Sequence, residues 1–186
     1  MYTTDMNEGI HAETVTMLGA NGDRINAFLA RPLGDGNFPA MVLAHHMPGW
    51  DLLYREFTYK VAHHGYVTIA PNLYFRAGHG TPEDVAAKVR AEGGVSDESV
   101  VGDLAGAAKS LNTLPYVHGR IGIFGTCSGG RHAYLAACRT TEFDAAIDCW
   151  GGRVVMTHDQ LNEKTPVSPL ALTKDLSCPL FGIFGN

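Results

Sequence analysis

The chain has 186 residues, of which 45% are hydrophobic, so it can bury a substantial core within one compact domain. Charged residues make up 18% and the formal net charge is -5, which gives no general attraction to nucleic acids or anionic membranes. The sequence contains no run of membrane-spanning length, and residues 1–13 are polar and acidic, unlike a signal peptide. We therefore expect a cytoplasmic protein with a single domain over residues 1–186.

The first predicted element is an antiparallel hairpin at a sheet edge. Residues 14–18 and 25–30 are strand-like and flank Asn21-Gly22, a dipeptide typical of tight turns. Later runs are short and apolar, as in strands buried on both faces of a parallel sheet; they are residues 40–44, 66–70, 120–124, 145–149 and 179–184. Helical patterns lie between these runs, at residues 52–64, at residues 97–114 and after residue 127. This alternation predicts an α/β fold with a mostly parallel, doubly wound sheet.

The sequence GTCSG matches the G-x-S-x-G nucleophile elbow, with Cys127 in place of the serine, and it follows a strand and precedes a helix. Gly125 and Gly129 suit such a turn, because the nucleophile has a strained backbone and side chains at those positions would collide with it. The helix that follows directs free N–H groups and its positive dipole end at the sulfur, which favours the thiolate. We predict Cys127 as the nucleophile. The alternative, a small buried cysteine, leaves the glycine pattern unexplained.

Three segments carry a resemblance that runs from about residue 42 to the end of the chain: VLAHHMPGWDLLYREFTYKVAHHGYVTIAPNLYFR, VVGDLAGAAKSL and GIFGTCSGG. On these residues, the chain resembles the dienelactone hydrolase (carboxymethylenebutenolidase) family, a branch of the α/β-hydrolase fold with a cysteine nucleophile. The three segments are similar to the family's first strand–loop–helix–strand unit, its following helix and its elbow. The resemblance implies an ester or lactone hydrolase that works through an acyl-enzyme and needs no cofactor.

Two backbone N–H groups form the oxyanion hole of such folds, one from the residue after the nucleophile and one from the loop after the third strand. By resemblance these residues are Ser128 and Met47. The family has a glutamate before the second of them, where this chain has His46. Imidazole can accept a proton, donate one or carry a charge near neutral pH, so His46 could stabilise the Cys127 thiolate or take the thiol proton. We predict His46 as a catalytic residue; the alternative is a loop histidine that packs or caps.

The segment PNLYFRAG follows a buried strand at the edge of the sheet where ligands bind. Its Arg76 resembles the family arginine that binds a substrate carboxylate through two hydrogen bonds. Trp50 and Trp150 are placed where they could line a pocket, although core packing is an equal alternative. Histidine pairs 45–46 and 63–64 lack metal-motif spacing, and no metal is predicted. The expected partner is a small ester or lactone, with or without a carboxylate, and no nucleic acid or membrane; the oligomeric state is left open.

An elbow nucleophile needs an acid and a histidine, which follow it along the chain in that order. After Cys127 the chain offers only His132, inside the helix that begins at the elbow, and His158, ahead of the last strand. Neither position fits. We therefore expect the acid and the histidine beyond Asn186, in a domain whose last strand and helix are missing, and feeble ester hydrolysis by this chain.

Two other functions remain open. A noncatalytic ligand-binding or interaction module on the same fold is favoured by His46 and by the expected C-terminal incompleteness. A thiol redox protein would need a resolving cysteine beside Cys127, whereas Cys138 lies a few helical turns away. The other cysteines fall in apolar patterns and are predicted to be core residues; they are Cys138, Cys149 and Cys178.

Overall fold

The computed structural model describes residues 9–34 and 36–185, which contain a seven-stranded sheet in the order β1-β2-β4-β3-β5-β6-β7. The strands are β1 (Ile10–Leu18), β2 (Arg24–Pro32), β3 (Phe38–Ala44), β4 (Val67–Pro71), β5 (Val117–Thr126), β6 (Ala145–Cys149) and β7 (Leu180–Ile183). The α-helices are α1 (Leu52–His63), α2 (Pro82–Ala91), α3 (Asp97–Asn112) and α4 (Ser128–Arg139). The prediction that the chain has no signal peptide rests on residues 1–13, most of which lie outside the described residues.

The predicted hairpin is confirmed, and β1 forms the edge of the sheet. β1 and β2 pair antiparallel over their whole length, from Ile10 opposite Pro32 to Leu18 opposite Arg24. Asn21 and Gly22 form the turn between them with positive φ values of 57° and 78°, within a short 3-10 segment. β2 also pairs antiparallel with β4, and the pairings from β4 to β7 are parallel.

Helices cover both faces of the sheet, which confirms the predicted doubly wound architecture. Neighbouring residues of β3 point to opposite faces, so Val42 joins the larger core cluster and Leu43 joins the smaller one. The larger cluster includes Leu104 from α3 and Ala133 from α4. Tyr54 from α1 packs in the smaller cluster. The carboxyl ends of β3, β4, β5 and β6 therefore share one edge of the sheet, where ligands bind in this architecture.

One helix was not predicted from the sequence. α2 begins after Thr81, whose hydroxyl accepts a hydrogen bond from the Asp84 backbone N–H, and Pro82 occupies its first turn. These start signals are present in the sequence, but only Ala86 and Val89 of the helix are buried. Its apolar periodicity is accordingly weak. None of the helices in residues 9–34 and 36–185 has the length and hydropathy needed to cross a membrane.

Candidate active site

Cys127 lies at the turn between β5 and α4 with φ 54° and ψ -123°, a strained conformation for a residue with a side chain. Its N–H donates to the Cys149 carbonyl oxygen of β6 at 3.0 Å. Its own carbonyl oxygen accepts from the Gly130 N–H at 3.0 Å. The turn is thus anchored to the neighbouring strand and to the first turn of α4. The strained turn that the glycine spacing predicted is confirmed.

The glycines around Cys127 are required by close backbone approaches. A Cβ atom on Gly125 would overlap the backbone of Gly129, and one on Gly129 would overlap the carbonyl group of Ala44 at the end of β3. α4 consequently begins close against β3 and β5. This contact holds the Cys127 side chain at the carboxyl edge of the sheet, beside the loop that follows β3.

The His46 ring in that loop is paired with a carboxylate that sequence reasoning missed. Its Nε2 lies 2.7 Å from Oδ2 of Asp51, and the two side chains are only 14% and 20% exposed. The other carboxylate oxygen of Asp51 accepts the Tyr54 backbone N–H at 3.1 Å and so caps α1. No hydrogen bond joins His46 to Cys127 among the described residues. An aspartate just before a helical pattern is a recognisable N-cap signal, but its second bond to His46 depends on how the loop folds.

Tyr54 connects α1 to the elbow, and this contact was not predicted from the sequence either. Its fully buried hydroxyl lies 3.0 Å from the Thr126 Oγ1 and accepts the Thr126 N–H at 3.3 Å, one residue before Cys127. Burial raises the pKa of Tyr54 to about 12, so the phenol is neutral near pH 7. The hydroxyl also interacts electrostatically with both Asp51 and Cys127. Tyr54 therefore contacts both the His46 ring, 5.1 Å away between centroids, and the residue before Cys127.

Met47 and Ser128, the predicted oxyanion-hole residues, line one cleft of about 370 Å³. The Met47 carbonyl oxygen accepts a hydrogen bond from the Tyr74 hydroxyl at 3.2 Å, which fixes the loop. Ser128 is the first residue of α4, where backbone N–H groups have no partner within the helix. The Met47 side chain is 45% exposed, in keeping with a role for its backbone. The cleft is large enough for a small ligand beside the elbow.

Arg76 has a different position from the one expected of a carboxylate-binding residue. Its guanidinium donates two hydrogen bonds to the buried carboxylate of Asp103, at 2.7 and 3.0 Å, and a third to Asp23 at 2.8 Å. These bonds with Asp103 and Asp23 raise the pKa of Arg76. The arginine ties the β1–β2 turn and the segment after β4 to α3. Because its charge is already neutralised by protein carboxylates, this geometry argues against the predicted role in binding a substrate carboxylate.

The two tryptophans occupy different environments. Trp50 stacks on Phe28 with ring centroids 3.7 Å apart and donates from Nε1 to the Ala70 carbonyl oxygen at 2.9 Å. It lines a second cleft, of about 470 Å³, together with Asp51. Trp150 lies at the end of β6 with φ 45° and an exposed fraction of 55%. Trp50 is thus both packed and pocket-lining, whereas Trp150 faces outward.

Neither histidine that follows Cys127 in the sequence has the expected environment of a triad base. His132 is 7% exposed, and burial, with Arg131 and His45 nearby, lowers its pKa to about 3. Its Nδ1 has no hydrogen-bond partner within residues 9–34 and 36–185, and the residue lines the cleft that contains Ser128. His158 is exposed on a short 3-10 helix. That neither histidine acts as the base stays a prediction.

A mostly parallel sheet covered by helices on both faces, with a strained residue at the strand-to-helix turn, defines the α/β-hydrolase fold. Within that class, the chain belongs to the dienelactone hydrolase family, whose sequence profile matches residues 25–186.

Relatives support this assignment. A Salmonella typhimurium protein whose name proposes a carboxymethylenebutenolidase is 30% identical over 184 residues, an alignment that covers 96% of this chain and 66% of that protein. A Bradyrhizobium protein named as a probable 2-oxo-3-(5-oxofuran-2-ylidene)propanoate lactonase is 27% identical, with 94% and 71% covered. The crystal structure of a candidate dienelactone hydrolase from Klebsiella pneumoniae superimposes with a TM-score of 0.80 at 27% identity, covering 94% of this chain and 72% of that one. The chain spans about two thirds of the length of the Salmonella relative.

Proposed function

We propose that this protein hydrolyses a carboxylic ester or lactone through a thioester on Cys127. The observation that carries the proposal is the conformation of Cys127, φ 54° and ψ -123°, at the start of α4. A strained turn of this kind presents its side chain above the sheet edge instead of burying it in the core. The carboxymethylenebutenolidase and lactonase names of the relatives agree with this reaction class.

The reaction begins with attack of the Cys127 thiolate on the carbonyl carbon. An S–C bond forms and the carbonyl oxygen takes up the negative charge, which the backbone N–H groups of Met47 and Ser128 stabilise. Collapse of this tetrahedral intermediate breaks the C–O bond to the leaving alkoxide or phenoxide and leaves an S-acyl enzyme. Water then attacks the thioester, releases the carboxylic acid and restores the thiol. For a lactone, the leaving oxygen stays attached to the acyl group, and the product is a hydroxy acid.

The test is acylation by p-nitrophenyl acetate, followed as a burst of p-nitrophenolate. We expect one equivalent of p-nitrophenolate per chain in the burst, and an acetyl group on the peptide that contains Cys127. Cys127→Ala should abolish both, whereas Cys178→Ser should leave both unchanged.

Two outcomes would overturn the proposal. A burst that survives Cys127→Ala would place the nucleophile elsewhere. No burst at all, together with saturable binding of a lactone, would favour the noncatalytic module. Steady-state turnover is measured in the same experiment, but acylation alone decides the role of Cys127.

A further inference from the structure

The Asp51–His46 pair joins the loop after β3 to the start of α1 through a short bond between largely buried side chains. The 2.7 Å bond between Nε2 and Oδ2 is formed by side chains that are 14% and 20% exposed. Asp51 is held in place by its second bond, from the Tyr54 N–H to Oδ1 at 3.1 Å. The carboxylate therefore has a fixed orientation and presents one oxygen to the histidine.

This contact determines which nitrogen of His46 can accept a proton. A carboxylate accepts hydrogen bonds, so the nitrogen that faces it carries the hydrogen when the imidazole is neutral. Nε2 of His46 is accordingly the protonated nitrogen, and Nδ1 retains its lone pair. A carboxylate that orients an imidazole base is an arrangement used in nucleophilic catalysis, although in the Ser-His-Asp triad the carboxylate binds Nδ1–H and Nε2 is the base.

The surroundings connect the pair with the elbow. The His46 ring lies 5.1 Å from the Tyr54 ring, centroid to centroid, and the Tyr54 hydroxyl is bonded to Thr126, next to Cys127. His46 also directly precedes Met47, the proposed oxyanion-hole residue. The pair and the thiol thus share one neighbourhood at the edge of the sheet.

We propose that Asp51 is a positioning residue that holds His46 in its Nε2–H form, and that Nδ1 of His46 takes the Cys127 proton through one water molecule. The inference rests on the proposed function, since it concerns activation of the same thiol. In this step the S–H bond breaks, the water accepts that proton and gives up another, and an N–H bond forms at Nδ1. The products are a thiolate and an imidazolium that lies against the Asp51 carboxylate.

The charged and titratable groups around His46 favour this transfer. Asp51 presents its carboxylate to Nε2 of His46 from the start of α1. Tyr54, also from α1, stays neutral near pH 7 because burial raises its pKa to about 12. His45 from the same loop is fully buried, and burial lowers its pKa to about 4, so it adds no competing positive charge. Cys127 contributes a negative charge once its proton has left.

The experiment measures the rate of Cys127 alkylation by iodoacetamide against pH, together with the p-nitrophenyl acetate burst. His46→Gln keeps an N–H donor for Asp51 but removes the base, and we expect acylation at pH 7 to slow by about 100-fold. Asp51→Asn should slow it by about tenfold or more, because the carboxylate that sets the tautomer is lost. The double variant should be no slower than His46→Gln alone, since two residues that act as one unit are not additive.

The controls separate positioning from structure. Asparagine is a good N-cap, so Asp51→Asn should keep α1 intact, which circular dichroism and the unfolding midpoint verify. Glu56→Gln removes an exposed carboxylate from the same helix and should change no rate. The nitrogen NMR spectrum of the His46 ring should show the Nε2–H form in the unaltered chain and a mixture of tautomers in Asp51→Asn. A merely structural aspartate would not alter that spectrum.

Each outcome decides between the two proposals. If Cys127→Ala abolishes the burst while Asp51→Asn and His46→Gln react at the unaltered rate, the role of the pair is wrong and the role of Cys127 stands. If the two single variants slow acylation but their effects multiply in the double variant, the residues act independently and the positioning role of Asp51 is wrong. If the burst survives Cys127→Ala, the proposed function itself fails.

Discussion

His45 bridges two loops at the site: its Nε2 accepts the Leu73 backbone N–H at 3.1 Å, and its Nδ1 donates to the His46 carbonyl oxygen at 2.9 Å. One loop follows β3 and the other follows β4. Both bonds require a neutral imidazole with its hydrogen on Nδ1. The side chain is fully buried, and burial lowers the pKa of His45 to about 4. The loop that carries His46 and Met47 is therefore held by a histidine that must remain uncharged.

Acidification should destabilise the protein through His45. An unfolded histidine titrates near pH 6.5, so below that pH the unfolded chain binds a proton that the folded chain does not. Stability should fall as the pH drops from 6.5 towards 4, and the contribution of His45 amounts to about 3 kcal/mol. Urea unfolding at pH 7, 5.5 and 4.5 measures the slope. His45→Gln should have a shallower slope over this range, and an unchanged slope would show that His45 is not its cause.

Replacement of Arg76 should cost stability and leave esterase chemistry intact. Arg76→Met would leave the fully buried Asp103 carboxylate without its two guanidinium bonds, which should destabilise the fold by about 3–5 kcal/mol. Arg76→Lys should recover only part of this loss, because an ammonium cannot form the same two-pronged contact. Arg24→Met, on the exposed start of β2, is the matched control and should change stability little. The unfolding free energy from urea titration gives the comparison.

The same variants test the predicted role of Arg76 in binding a substrate carboxylate. If the arginine bound a substrate carboxylate, Arg76→Lys would raise the KM of a carboxylate-bearing ester far more than that of p-nitrophenyl acetate. We expect the KM ratio of the two esters to stay constant. A selective rise for the charged ester would restore the role predicted from the resemblance.

The contrast between Cys127 and Arg76 shows which features the sequence could predict. The elbow depends on residues within a few positions of each other, and the need for Gly125 and Gly129 follows from local backbone crowding. The position of Arg76 depends on its ion pair with Asp103 of α3, which lies 27 residues further along the chain. No pattern in the sequence indicates that these two side chains face each other.

Other parts of the site show the same limit. His46 was predicted as a site residue from its place before Met47, but its bond to Asp51 depends on the path of the loop between them. The hairpin and the mostly parallel sheet could be predicted because turn chemistry and apolar runs are local signals. Pairing between polar side chains across a loop carries no such signal.

Gly129→Ala should severely disrupt the fold. The added Cβ would overlap the Ala44 carbonyl group, and because that carbonyl belongs to the backbone of β3, the start of α4 would have to move away from it. We expect a loss of about 3 kcal/mol or more, or a chain that does not fold. Gly152→Ala is the control, because nothing lies within 4 Å of a Cβ added there. Equal unfolding midpoints for the two variants would contradict the close approach of α4 to β3.

Cys127 should be alkylated by iodoacetamide before any other cysteine of the folded chain at pH 7. Exposure alone does not predict this order, because Cys127 and Cys178 are both half-buried. The difference is in the ease of forming the thiolate, which is the reactive species. Burial raises the pKa of Cys138 to about 11, and it also raises the pKa values of Cys149 and Cys178. Cys127 instead lies at the N-terminus of α4, where the first backbone N–H groups have no partner within the helix.

Peptide mass spectrometry over a time course checks this order. We expect the peptide with Cys127 to be fully labelled while those with Cys138, Cys149 and Cys178 are still largely unmodified. In urea the folded environments are lost, so all four cysteines should react at similar rates, which serves as the internal reference. Labelling of Cys178 as fast as Cys127 in the folded chain would mean that the helix terminus does not activate the elbow thiol. Cys127 would then need another group to remove its proton before it could attack an ester.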